Sequence, residues 1–487
     1  MEDFSIESVS KKSLTGFLAL SSRTFFVKIL GLITSFVLTI FLDRSSYGVY
    51  FIASSIVVFL VYFQDIGLAA SLIQKKEKPT LEELRTTFTI QQILVLLIII
   101  PSLYFSKYIA NFYHLNTSGL YLLDALLISF FISSLKTIPT VLLERDLHFH
   151  KLVLPDIVEN VSYNLLLVIF AVMGFGITSF TIAVVVRSIL GLFVIYYIQP
   201  WEIGISLNFE VFKKLASFGL PFQANSLLAL LKDNLVSLFI GKLLPFDQVG
   251  LVGFAQKISY LPSNLIMDNV IRVTFPSYSR LQHDKAGLKI VIEKSLFLIG
   301  LLIFPLVVLL IIFSGDFIKY VPIAHYQKWA PSVMSITFFS LNILFASITV
   351  PLTNFLNAIG KVKLTLYAMV LLTIFTWGLT PLFIFLYGFN GVAIASFIVA
   401  ASLILILPFV KRQLEFSFVK PIIKPLVGAL GLLALALTTT IFINSFMLLM
   451  FAVFFSGFVY LFIMYMLAKD DMKSIYSFSR NAIFKSK

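Results

Sequence analysis

Seven basic residues interrupt long apolar runs of this chain: Arg23, Lys28, Lys136, Arg187, Lys232, Lys257 and Arg272. A cation in the hydrocarbon core of a membrane costs about 2.5 kcal/mol or more and persists where it faces a cavity or a partner. Stripped of water, such a cation attracts phosphate far more strongly than it does in bulk solution. The chemistry these residues offer is therefore anion recognition inside a bundle. With a rise of about 1.5 Å per residue, Lys28 and Arg187 fall near mid-membrane, and Arg23, Lys136 and Arg272 lie nearer one end. A cation near a helix end can extend to the interface or pair with an acid, which is the structural reading for Arg23, Lys136 and Arg272. Lys28, Arg187, Lys232 and Lys257 are the candidate substrate-binding residues, with Arg23, Lys136 and Arg272 as contacts at the cytosolic end.

Two stripes position these groups. Ser21, Thr24, Lys28, Gly31, Ser35 and Thr39 recur at three- and four-residue steps, share one helical face and read as a cavity wall. Lys257, Tyr260, Asn264, Asp268 and Arg272 form a second stripe, which Pro262 is expected to kink. Three acids in or beside apolar runs, Asp65, Asp233 and Asp268, are candidate proton or cation sites for energy coupling, and Glu159 stands near a span end. Structural pairing and helix capping are the competing reading for these acids.

The chain offers little to other chemistries. It has no Cys, and its 5 His are scattered without ligand-like spacing, so no metal site or cofactor is expected. No GxxxxGK[ST] stretch marks a nucleotide site. Catalysis on lipid-linked sugars by a membrane glycosyltransferase or polymerase would call for acids or His in sizeable outer loops. Only Asp316, His325 and His114 are placed for that, in short turns, so no catalytic residue is assigned and the chain is not expected to be an enzyme.

What positions the charges is an all-α polytopic bundle. Apolar residues are 59% of the chain and charged residues 13%, and an apolar run recurs about fourteen times at the length that spans a bilayer. The expected spans are 17–42, 48–72, 88–106, 120–143, 157–173, 177–198, 217–240, 247–275, 292–314, 331–356, 362–386, 389–410, 423–443 and 446–468. Basic residues favour one set of alternate turns by about five to one, which puts both termini in the cytosol under the positive-inside rule. The net charge of +13 is thus mostly topology, and a nucleic-acid partner is not expected.

Two echoes suggest duplication. Ser46–Ala53 resembles Gln248–Ala255 when Gly48 is matched with Gly250, and Gly174-Phe175-Gly176-Ile177 resembles Gly388-Phe389-Asn390-Gly391-Val392. The offsets, about 202 and 214 residues, describe two parallel six-helix units, an arrangement that places substrate between halves in transporters. The division that follows is 1–200, 201–415 and an appended pair of helices with a tail at 416–487.

Leu142-Leu143-Glu144-Arg145-Asp146-Leu147-His148-Phe149-His150-Lys151 resembles the cytosolic turn after span four of bacterial polysaccharide flippases of the Wzx type, in the WzxC-like branch of the MOP exporter superfamily. Asp65-Ile66-Gly67-Leu68, Gly174-Phe175-Gly176, Ile240-Gly241-Lys242-Leu243 and Phe275-Pro276-Ser277-Tyr278-Ser279-Arg280-Leu281 are similar to segments of the same family, in order along most of the chain. The resemblance implies a MATE-like fold, two six-helix lobes around a V-shaped cavity with two extra C-terminal helices. It also implies alternating access that carries an undecaprenyl-diphosphate-linked oligosaccharide from the cytosolic to the outer leaflet of the bacterial inner membrane. Lipopolysaccharide or other polysaccharide biosynthesis is the setting so implied; a polysaccharide polymerase and export machinery are candidate partners, and H+ or Na+ candidate coupling ions. The rival within the fold, an ion-coupled multidrug exporter, would prefer an acidic cavity.

Overall fold

The computed structural model describes residues 6–65, 67–75, 77–146, 148–213, 215–216, 236–267, 270–271, 274, 277–279, 281–320 and 326–484. Among these, 12 helices are long and apolar enough to cross a membrane, and they correspond to expected spans one to six and nine to fourteen. The protein is a multi-pass membrane protein. The seventh span falls almost wholly outside the described residues. Of the eighth, the structure describes a helix at Phe246–Ser259 and a π-turn at Ser263–Met267, so the α-helix is interrupted at Tyr260 and passes into the π-turn directly after Pro262.

The chain divides into two compact units, Met1–Gly250 and Leu251–Lys487, with 201–250 grouped with the first. The first unit opens with α1 (Ile6–Phe41), α2 (Arg44–Val61), α3 (Leu68–Gln74) and α4 (Leu81–Tyr104). It continues with α5 (Ser106–Phe112), α6 (Thr117–Ser134), α7 (Thr137–Arg145), α8 (Phe149–Val172) and α9 (Thr178–Ile198). Polar residues just outside the apolar runs start these helices: Asp43 accepts from the Ser46 amide at 2.9 Å, and Thr80 with Glu83 forms a capping box on α4.

Two expected spans are broken. Span 48–72 ends in a 3-10 turn at Tyr62–Gln64, and the chain turns through Asp65 and Gly67 before α3. Asp65 is therefore a turn residue whose carboxylate accepts from the Leu68 amide at 2.9 Å, not an acid inside a span. Span 120–143 splits into α6 and α7 at Lys136. Pro139 cannot donate to the carbonyl four residues earlier, and that carbonyl, Leu135, accepts instead from the Tyr196 hydroxyl at 3.0 Å.

The helix α10 (Phe246–Ser259) begins in the first unit and crosses the start of α2 there. A Cβ on Gly48 would lie 1.9 Å from the Phe246 carbonyl oxygen, and one on Gly250 would lie 2.0 Å from the Arg44 carbonyl oxygen. The two glycines matched in the sequence echo are thus reciprocal contacts, each clearing the backbone at the start of the other's helix. Small residues allow this close crossing where lipid supplies no hydrophobic drive for helix association. In the second echo Gly174 and Gly388 both take positive φ, 84° and 59°, at the ends of α8 and of the helix before Gly388.

The second unit contains α11 (Lys285–Tyr320), α12 (Val333–Ala358), α13 (Val362–Tyr387), α14 (Asn390–Ser402), α15 (Leu407–Gln413), α16 (Val419–Thr440) and α17 (Phe446–Phe484). Its centre is α11, whose Ile292, Leu296 and Phe304 pack with Phe355 of α12, Leu432 of α16 and Met464 of α17. The proline device recurs: Pro305 frees the Leu301 carbonyl, which accepts from the Tyr460 hydroxyl of α17 at 2.9 Å. The appended helices are therefore fastened to the core of their unit.

Candidate functional site

In the first unit α8 packs between α1 and α9, and one face of α8 carries Asp156, Glu159, Asn160, Tyr163 and Asn164 at helical spacing. Each of the first two carboxylates meets a cation. Asp156 pairs with Arg23 of α1, and Glu159 pairs with Lys136 at 2.5 Å. With Glu144 they line a cavity of about 310 Å³. Gly191 of α9 makes room for the second pair, since a Cβ there would sit 1.8 Å from a Glu159 carboxylate oxygen.

The two pairs differ in hydration. The side chains of Lys136 and Glu159 are 16% and 18% exposed, whereas those of Arg23 and Asp156 are 27% and 43% exposed. A wet pair contributes little and opens readily, but removing one partner of a dry pair leaves a charge without compensation. Arg23 is accordingly the more releasable cation. Burial, and then the charge of Asp156, push the Glu144 carboxyl above the usual carboxylate range. Among the described residues the cavity therefore gathers three carboxylates and two cations, and Arg23 and Lys136 are each paired with an acid.

One turn further along α8 the chemistry changes. The Arg187 guanidinium, near the middle of α9, lies over the Tyr163 ring at 4.9 Å and makes no ion pair among the described residues. Tyr163 donates to the Tyr50 hydroxyl at 3.0 Å, and Tyr50 stacks on Phe180 at 4.2 Å between centroids. A cation held by the face of an aromatic ring keeps its hydrogen-bond donors for an anion. Neighbouring aromatic faces and hydroxyls suit the apolar and polar faces of a sugar ring.

The stripe on α1 is only partly open. Lys28 is half-buried, but Ser35 and Thr39 are buried, Ser35 donates to the Gly31 carbonyl, and the Ser35 carbonyl accepts from Tyr47 at 2.9 Å. That end of the stripe is a packing surface against α2, which corrects its reading as cavity wall. Lys257 is exposed on α10, in the part of that helix that belongs to the second unit. Lys232, Asp233, Asp268 and Arg272 lie outside the described residues.

The motif after span four proves architectural on one side. Arg145 donates to the carbonyls of Leu72 and Lys75 at 2.7 and 2.5 Å and to that of Glu77, tying α7 to the end of α3. Lys75 in turn pairs with the buried Glu83 at 2.7 Å. Beneath this turn Leu68, Leu72, Phe88, Ile138 and Val141 form a common core. Asp156 and its pairing with Arg23 were missed in the sequence; the spacing 156, 159, 160, 163 within an apolar run was the signal that could have found it.

Comparison with known proteins follows the same lines. The chain is 23% identical over 368 residues to the lipopolysaccharide biosynthesis protein WzxC of Escherichia coli (strain K12), covering 74% of this chain and 72% of that protein. In fold it is similar to the lipid II flippase MurJ in an inward closed conformation, with a TM-score of 0.76 at 20% identity over 93% of this chain and 99% of that one. An inward-facing multidrug resistance MATE transporter of the MOP superfamily superposes with a TM-score of 0.65 at 13% identity, over 81% of this chain and 98% of that one. The all-α, MATE-like architecture is thus the fold of this protein. Residues 37–334, more than half of the chain, match the polysaccharide biosynthesis protein family, and the chain belongs to that family.

Proposed function

We propose that this protein carries an undecaprenyl-diphosphate-linked oligosaccharide from the cytosolic to the outer leaflet by alternating access, in the service of polysaccharide biosynthesis. The observation that carries the reading is Arg187: a mid-span guanidinium held by the Tyr163 ring, with no carboxylate partner among the described residues, beside Tyr50 and Phe180. Such a group recognises a diphosphate or an acidic sugar in a wet cavity, while the polyprenyl tail stays in lipid. Lys28, Lys232 and Lys257 are further proposed contacts. Arg23 joins them when its half-exposed pair with Asp156 opens; Lys136, held in its drier pair with Glu159, and Arg272 rank last, at the cytosolic end. Family membership and the likeness to a lipid flippase support the cargo class.

We take the two lobes to be 1–200 and 201–415 with helices 416–487 appended, both termini cytosolic, in the bacterial inner membrane. A coupling ion, H+ or Na+, would act through Asp233 or Asp268, or through Asp65 at the turn beyond the end of its span. The deciding experiment measures transbilayer movement of a fluorescent undecaprenyl-diphosphate oligosaccharide in proteoliposomes. Native protein is expected to move it, and Lys28→Ala and Arg187→Ala at matched insertion are expected to lose most of the rate. Full movement in both variants would remove these residues from the site.

A second reading, an ion-coupled exporter of organic cations, draws on one observation: Glu144, Asp156 and Glu159 outnumber the cations among the described residues of their cavity. It predicts binding of an organic cation that Glu144→Gln weakens, with no response to lipid diphosphates.

A further inference from the structure

In the second unit a cavity of about 510 Å³ opens where the Lys285 end of α11, the start of α16 and the polar end of α17 converge. Lys294, Lys420 and Lys424 line it together with Glu293 and Asp471. Both acids have partners. Glu293 accepts from the Ser417 amide at 2.7 Å, and Asp471 holds Lys424 at 2.5 Å, just beyond Ala468, where α17 departs from helical geometry at φ −136°. Lys420 is exposed and has no acidic partner among the described residues. Among the described lining residues three lysines stand against two carboxylates, an excess of one that a single phosphodiester balances and a diphosphate exceeds.

The surroundings are those of a lipid–water boundary. At about 1.5 Å per residue the 36 residues of α11 reach about 54 Å, well beyond the hydrocarbon thickness, so its first turns emerge into the headgroup layer. Next to the lysines, Ile290 is 50% exposed, Ile423 44% and Val427 46%, and the last two continue along α16 toward the bilayer centre. Cations at the rim with an apolar strip below form the complement of a lipid headgroup joined to its acyl chains.

We propose that this cavity holds the phosphate of one anionic phospholipid of the leaflet nearest the C-terminal tail, and that this lipid clamps α16 and α17 onto α11. Lys420 and Lys424, one turn apart on α16, and Lys294 on α11 contact the phosphate, and Ile423 and Val427 carry an acyl chain. This site lies apart from Arg187 and does not rest on the cargo assignment.

The test is native mass spectrometry of the delipidated full chain in detergent, titrated with dioleoylphosphatidylglycerol, with thermal unfolding in parallel. One bound lipid is expected, with a matching rise in melting temperature. Lys420→Gln is the decisive variant, because it leaves the Lys424–Asp471 pair and hence the fold intact. It is expected to weaken binding about fivefold, and the triple Lys294→Gln, Lys420→Gln, Lys424→Gln about a hundredfold, at the usual worth of a lysine near an anionic surface. Lys411→Gln with Arg412→Gln, outside the cavity, is expected to change nothing. Equal binding of dioleoylphosphatidylcholine, or of the Lys420→Gln variant, would overturn the proposal. Displacement of the bound lipid by inorganic phosphate or by undecaprenyl diphosphate at lower concentration would likewise overturn the assignment to a phospholipid.

Discussion

Replacing Gly48 by Ala probes the closest helix crossing in the first unit. The new methyl would stand 1.9 Å from the Phe246 carbonyl oxygen and 2.7 Å from its carbon, and both are backbone atoms that no rotamer change can move. Restoring ordinary contact near 3.4 Å requires the two helices to separate by about 1.5 Å, which forfeits packing on both sides of the crossing. Overpacking of this kind costs about 3 kcal/mol, and the helix propensity gained by Ala returns about 1 kcal/mol, leaving a net loss of about 2 kcal/mol. Gly250→Ala meets the Arg44 carbonyl at 2.0 Å and should cost about the same. Gly31→Ala is the control: nothing lies within 4 Å of its Cβ position, so Ala there should be neutral or slightly stabilising. Because one opening relieves both clashes, the Gly48→Ala, Gly250→Ala double variant should lose clearly less than the sum of the single losses. Equilibrium unfolding of all four variants in one detergent gives these differences directly. A Gly48→Ala protein as stable as Gly31→Ala, or additive losses in the double variant, would refute the reciprocal crossing and with it the structural meaning of the sequence echo.

Glu159→Gln strands the dry Lys136 ammonium and should cost about 3 kcal/mol in unfolding experiments, whereas the wetter pair makes Asp156→Asn cost under about 1 kcal/mol. Tyr196→Phe and Tyr460→Phe each leave a proline-freed carbonyl, Leu135 or Leu301, without its donor, and each should lose about 1–3 kcal/mol and speed hydrogen exchange around the break. Glu144 titrates above an ordinary glutamate in the folded chain, so its protonated form is the one the fold favours. Its contribution to stability is therefore present at acid pH and lost as pH rises through the folded value. Melting temperatures should show Glu144→Gln gaining on the native chain above the carboxylate range and converging with it below; a gain independent of pH would contradict the burial of that carboxyl.

The spans were legible because the bilayer imposes them: a backbone in lipid must bond to itself over about twenty residues, and no tertiary contact can substitute for that length. The breaks were less so. Pro139 and Gly67 stood in plain view, but whether a proline merely bends a helix or ends it depends on who satisfies the freed carbonyl, and Tyr196 lies 61 residues from Leu135. Charge was legible one side at a time. The cations announced themselves against an apolar background, yet their partners come from other helices, 133 residues away for Arg23 and 23 for Lys136.

Counting cations by depth therefore implied a positive cavity, and helix packing cancelled part of it. The argument for an anionic cargo does not fall with that cancellation, because attraction depends on donors that remain open and not on the total of charges in a span. A dry pair such as Lys136–Glu159 has already used its donors, a wet one such as Arg23–Asp156 can release them, and Arg187 over Tyr163 has them available. The physical case for phosphate recognition thus narrows from seven cations to a graded series with Arg187 at its head, and that ordering is what the transport measurements on single variants would test.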